Sequence, residues 1–198
     1  MRNKNPYLSA RNRGIRRLLR ATAGIVGLLA ALVSHIAIAA APTEYQLKAV
    51  FLFNFAKFID WPPPAFANIQ SPFVICVLGE DPFGKDLAET VRTQNVGARP
   101  LSVRRITQAL RDNSCQIVFV SVSEESRYAQ IIEAMKTLPI LTVGEESNFI
   151  RAGGMISFVI EDNRIRFEIN LSPAEKAGIK ISSKLLKLAK IVHERGGH

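Results

Sequence analysis

Phe73-Val74-Ile75-Cys76-Val77-Leu78 is an uninterrupted apolar run rich in β-branched side chains, and runs of the same kind return at Cys115-Gln116-Ile117-Val118-Phe119-Val120 and Ile140-Leu141-Thr142-Val143. Runs this short, apolar at successive positions, predict strands buried on both faces of a sheet. Between them, Asp81-Pro82 reads as the N-cap and first residue of a helix reaching about Thr93. Ser123-Glu124-Glu125 likewise reads as the cap of a helix reaching about Thr137. Arg99 to Arg105 sets Leu101 and Val103 against polar neighbours and reads as a further strand. Strands alternating with helices predict the α/β class, with a mostly parallel sheet flanked by helices on both faces.

Moving toward the N-terminus, Glu44 to Trp61 places Leu47, Val50, Phe51, Phe55, Phe58 and Ile59 at helical spacing, and Pro62-Pro63-Pro64 ends the helix. Leu52 and Phe53 lie off that seam, so the apolar stripe is wider than one core face needs. They are candidate dimer-interface residues. Toward the C-terminus, Met155 to Ile160 and Arg164 to Leu171 flank Glu161-Asp162-Asn163, the pattern of an antiparallel β-hairpin. Ile165, Phe167, Ile169 and Leu171 alternate with Arg164, Arg166, Glu168 and Asn170, which implies one wet face. Ser182 and Ser183 then cap a terminal helix with Leu185, Leu188, Ala189 and Val192 as its seam.

The first 41 residues read as an export signal. Seven Lys or Arg and no acid occupy Met1 to Arg20, Ala21 to Ile36 carries no charge with His35 neutral, and Ala37-Ile38-Ala39 fits a signal-peptidase site. Residues 1–39 are therefore expected to be a cleaved signal peptide, and residues 40–198 a single domain, large enough for its own core. The formal charge of +9 sets 26 basic against 17 acidic residues; without the seven basic residues of the signal it is 19 against 17, or +2. The basic balance belongs to the leader, which removes the case for nucleic acid as a partner. Cys76 and Cys115 are the only cysteines of the chain. In an oxidising compartment they pair, or else they stay as two buried thiols.

The three histidines are His35, His193 and His198, so the body of the domain has no imidazole. That removes Ser-His-Asp and Cys-His catalysis and the usual zinc ligands, and neither a cofactor nor a metal site is expected. Glu124-Glu125 and Glu145-Glu146 follow strands, but nothing in the sequence supplies a partner for acid-base work, and they read as caps and solvated charge. Gly79-Glu80-Asp81-Pro82-Phe83-Gly84 lacks the spacing of a dinucleotide fingerprint and the Lys of a P-loop. Gly153-Gly154 reads as the turn into the hairpin. A carboxylate-only hydrolase stays open in principle.

Glu44-Tyr45-Gln46-Leu47-Lys48-Ala49-Val50-Phe51-Leu52 followed by Phe55-Ala56-Lys57-Phe58-Ile59-Asp60-Trp61-Pro62 resembles the opening helix of the YfiR-like family of exported proteins. Val77-Leu78-Gly79-Glu80-Asp81-Pro82-Phe83-Gly84, Leu141-Thr142-Val143-Gly144-Glu145, Gly153-Gly154-Met155-Ile156, Arg166-Phe167-Glu168-Ile169-Asn170 and Ala177-Gly178-Ile179-Lys180-Ile181-Ser182-Ser183-Lys184-Leu185-Leu186 follow in the family's order. The resemblance implies a periplasmic, non-enzymatic regulator. It would restrain an inner-membrane diguanylate cyclase through that enzyme's periplasmic sensor domain, lowering cyclic di-GMP and biofilm formation, with an outer-membrane lipoprotein as the relieving partner. It also implies that Cys76 and Cys115 form the family's structural disulfide. The second cysteine pair that members can carry is missing here, so a redox switch needing two bridges is not implied.

Three surfaces follow as expectations. Partner binding falls to Arg166, Glu168 and Asn170 on the final strand and to Phe149 as an exposed aromatic anchor. Homodimerisation falls to Leu52 and Phe53. The competing reading is a small-ligand sensor with a cleft beyond the carboxyl ends of the parallel strands, where Arg99, Arg104, Arg166 and Lys180 would suit an anionic or aromatic ligand.

Overall fold

A computed structural model of the chain describes residues 41–192, and Pro42–Val192 lies within one compact unit. The segment expected to be an export signal, together with His193 and His198, falls outside the described residues. The elements in chain order are α1 (Glu44–Phe58), β1 (Ile59–Asp60), β2 (Phe73–Leu78), α2 (Asp86–Val91), β3 (Asn95–Val96), β4 (Arg99–Ile106) and β5 (Ile117–Val120). They continue with α3 (Tyr128–Met135), β6 (Leu141–Glu145), α4 (Glu146–Arg151), β7 (Ile156–Glu161), β8 (Arg164–Asn170), α5 (Leu171–Lys176), β9 (Lys180–Ile181), α6 (Ser183–Leu186) and β10 (Lys190–Val192). One sheet of eight strands runs β10-β8-β7-β6-β5-β2-β4-β3, and β1 pairs with β9 separately. β4, β2, β5, β6 and β7 are mutually parallel, while β8 returns antiparallel to β7.

The continuous apolar runs are explained by what lies above and below them. Alternate residues point to opposite faces of a strand. Ile75 and Val77 of β2 join Leu52, Phe55 and Phe119 beneath α1, whereas Cys76 and Leu78 join Ile131, Met135 and Phe149 beneath α3 and α4. Both faces are covered, so neither set of positions can be polar. The structure joins Cys76 to Cys115, just before β5, with Cα atoms 6.0 Å apart and 39 residues of separation.

Thr43 and Gln46 start α1 with a capping box: the Gln46 amide donates to Thr43 Oγ1 (3.3 Å) and the Thr43 amide to Gln46 Oε1 (3.0 Å). The helix takes a different phase from the expected seam. Its core side is Lys48, Ala49, Leu52, Phe55 and Ala56, while Leu47, Val50 and Phe58 are exposed. Apolar residues occur around the whole helix, so periodicity selects no phase. The rings of Phe158 and Phe167, 5.8 and 5.2 Å from that of Phe55, do so instead. Leu52 is fully buried, which corrects its assignment to a dimer surface, and Phe53 is half-buried under the Lys57 ammonium.

Helix boundaries also move. Asp81 caps a turn rather than a helix, since its Oδ1 accepts from the Phe83 amide (2.8 Å) and its Oδ2 from Arg105 Nε (2.7 Å). That turn buries Phe83 against Phe119, and α2 begins only at Asp86. Ser121, not Ser123, caps a 3-10 turn over Val122–Arg127, after which α3 starts at Tyr128. The hairpin turn has φ of 51° at Asp162 and 57° at Asn163, the left-handed pair that a two-residue type I′ connection needs.

The terminal helix is only four residues long. Ser182 Oγ accepts from the Leu185 amide as its cap, but Lys190–Val192 leave the helix to pair parallel with β8. Leu188, expected in the seam, is exposed. The wet face expected on β8 holds at Arg164 and Arg166, which are exposed, and fails at the end of the strand, where Ser147 of α4 meets Glu168. Glu168 and Asn170 are 5% and 2% exposed, with Lys190 lying 3.0 Å from Glu168 Oε1. Phe149 is buried as well, its ring filling the space left by Gly144 and Gly154, where any Cβ would overlap it. None of these three is an exposed contact for a partner.

Candidate functional site

In an open parallel sheet, ligands sit beyond the carboxyl ends of the strands, where the chain order reverses. Here the reversal falls between β2 and β5, and the protein fills it with its own loops. Gly79 has φ of +90°, and a Cβ there would come 2.5 Å from Ser123 Oγ and 2.8 Å from Glu124 Cγ. The Glu80 amide donates to Ser123 Oγ (3.0 Å), sealing one loop against the other.

Farther along the same edge, a cleft of about 390 Å³ remains open. Its lining includes Tyr45 and Lys48 from α1, Glu145 and Glu146 at the β6–α4 junction, and Phe158 and Ile160 from β7. The Lys48 ammonium forms ion pairs with both Glu44 and Glu145, while Tyr45 OH donates to Glu145 Oε1 (3.2 Å). The same ammonium lies 4.6 Å from the centre of the Tyr45 ring. Burial works against the charge on Lys48, but hydrogen bonds and charge from Glu145 and Glu44 outweigh it and raise its pKa. The Tyr45 phenol is raised too, first by burial and then by the negative charge of Glu145.

Two features of the cleft are costly to the fold. Glu145 is 6% exposed, yet its Oε2 has no hydrogen-bond partner. Glu146 adopts φ of 62°, a left-handed conformation that strains a residue with a long side chain, and its carbonyl accepts from Ser157 Oγ (2.5 Å). Val122 and Ile160, 46% and 61% exposed, add an apolar rim. Three carboxylates, Glu44, Glu145 and Glu146, face one ammonium, so the cleft is acidic on balance. Among the described residues no group of His, Cys, Asp and Glu is placed to hold a metal ion.

The basic residues expected to form a ligand site serve other ends. Arg99 donates to the carbonyls of Asn68 (2.9 Å) and Ser71 (2.6 Å) and stacks 3.9 Å from the centre of the Phe66 ring. Arg104 donates to Ser114 Oγ (2.6 Å) and to Cys115 Sγ (3.1 Å). Lys180 is exposed on β9 and Arg166 on β8, and none of the four lines the acidic cleft. Conversely, Glu145 does have a partner, which the sequence reading missed. The available signal was Lys48, which sits four residues before Leu52 and seven before Phe55 on what proved to be the core side of α1.

A family model described as YfiR/HmsC-like matches residues 45–190. Among solved structures, the chain is similar to the ABC domain in complex with L-Trp from Streptococcus pneumonia, with 12% identity and a TM-score of 0.46. That likeness covers 61% of this chain and 55% of the other, so the chain spans about half the length of that structure.

Proposed function

The chain belongs to the YfiR/HmsC-like family, and from that premise we propose that it is a periplasmic regulator that acts by binding rather than by catalysis. Its target is an inner-membrane diguanylate cyclase, restrained through its periplasmic sensor domain so that cyclic di-GMP and biofilm formation fall. An outer-membrane lipoprotein is the partner that relieves this restraint. The observation that carries this reading is the extent of the family match, from the first turn of α1 to β10. The chemistry of the domain supports it. Residues 41–192 contain no imidazole, and Lys48 is held as a charged ammonium by two carboxylates rather than poised as a base.

The surfaces for this role are those left exposed. Arg166 projects from the hairpin, while Leu47, Val50 and Phe58 leave an apolar side of α1 open for a second copy of the chain. Co-purification from detergent-solubilised inner membrane is expected to recover a diguanylate cyclase, with Arg166→Glu reducing the yield. A preparation that repeatedly brings down no cyclase would contradict the role. Val50→Asp is expected to shift the molecule to monomer without lowering its melting temperature.

A further inference from the structure

We infer that the acidic cleft binds a free organic cation, an alkylammonium or guanidinium group carried on a short apolar stem. Several features converge on it, and none depends on which protein the chain regulates. Glu145 Oε1 is already committed to Lys48 and Tyr45, but Oε2 is buried without a donor. A carboxylate oxygen in that state calls for a hydrogen-bond donor, and a charged N–H makes the strongest one. Glu44, Glu145 and Glu146 outnumber Lys48, so an added cation balances the charge, whereas an anion would be repelled. The backbone strain at Glu146 sits at the same place, as strain at ligand sites commonly does. Val122 and Ile160 supply apolar walls beside the acidic floor, suited to a methylene stem. The volume of about 390 Å³ falls within the range of small-ligand sites. An amine without its own carboxylate fits this balance better than an amino acid. It also departs from the anionic or aromatic ligand that Arg99, Arg104, Arg166 and Lys180 suggested.

Titration calorimetry with agmatine and cadaverine tests the site, with glutarate as the anionic control. Both amines are expected to bind and glutarate is not. Glu145→Gln is expected to abolish binding. Because that change strips a partner from buried Lys48, Glu146→Gly carries the decision. Glycine accepts the left-handed φ, so the variant is expected to melt no lower than the parent while binding agmatine about tenfold more weakly. Absence of binding by either amine up to about 10 mM, or equal affinity in Glu146→Gly, would overturn the inference. Tighter binding of N-acetyl-arginine methylamide than of agmatine would overturn it too, assigning the cleft to a side chain of a protein partner. A crystal structure with agmatine in which Glu145 Oε2 meets only water would also do so.

Discussion

Two crevices lie along the carboxyl edge of one parallel sheet, and the chain treats them in opposite ways. Between β2 and β5 a glycine lets the loops close until Ser123 meets the Gly79 backbone. Beside β6 and β7 the chain instead keeps an open cleft, a strained Glu146 and a carboxylate oxygen without a partner. The fold alone would place a ligand at the first. On the inference drawn above, the side chains place it at the second, so what fills each crevice decides where a ligand can sit.

The contrast is broken most severely by removing Lys48. Lys48→Met leaves Glu145 buried without its counter-charge, an expected loss of about 3–5 kcal/mol in denaturant unfolding. Lys48→Met combined with Glu145→Leu is expected to recover most of it. A single variant as stable as the parent would mean that the pair is not buried in solution. The same cluster sets an alkaline limit. Lys48, Tyr45 and Tyr128 all have raised pKa values, Tyr128 chiefly through burial. Groups whose folded pKa is raised contribute stability that is complete below their unfolded values, 10.0 for the phenols and 10.5 for lysine, and is lost as pH climbs through the folded ones. Melting temperature is expected to hold through neutral pH and fall above about pH 10.

The strands that flank the closed crevice are joined by the disulfide from Cys76, in β2, to Cys115, just before β5. Replacing Cys76 and Cys115 together by Ala is expected to cost about 2–4 kcal/mol, read as a lower denaturant midpoint. A smaller effect is expected from Gly79→Ala, about 1–3 kcal/mol, because the residue is left-handed and its new methyl meets Ser123. The smallest has the opposite sign. Glu146→Gly relieves strain and is expected to stabilise by up to about 1 kcal/mol. If Gly79→Ala were harmless while Glu146→Gly destabilised, the roles assigned to the two crevices would be reversed.

What could be read in advance followed from local rules. The parallel strands were legible because Val74, Ile75, Val77 and Leu78 leave no polar set of positions, and the hairpin because Asp162-Asn163 tolerates left-handed backbone. The misses were non-local. Glu145 finds Lys48 across 97 residues, so no window of sequence joins them. Glu168 and Asn170 alternate as a wet face should, yet they are buried where Ser147 of α4 meets Glu168 and β10 pairs alongside. Lys190 to Val192 continues the helical spacing, yet its backbone pairs with β8 instead. Phe149 looked like a free anchor because the feature that hides it, the missing side chains of Gly144 and Gly154, carries no hydrophobic signal.

Intracellular cyclic di-GMP in cells lacking the gene tests the regulatory role most directly. It is expected to rise, together with surface attachment, and to return to the parental level when the whole chain, residues 1–198, is supplied. Levels that stay unchanged across several growth conditions would contradict the role.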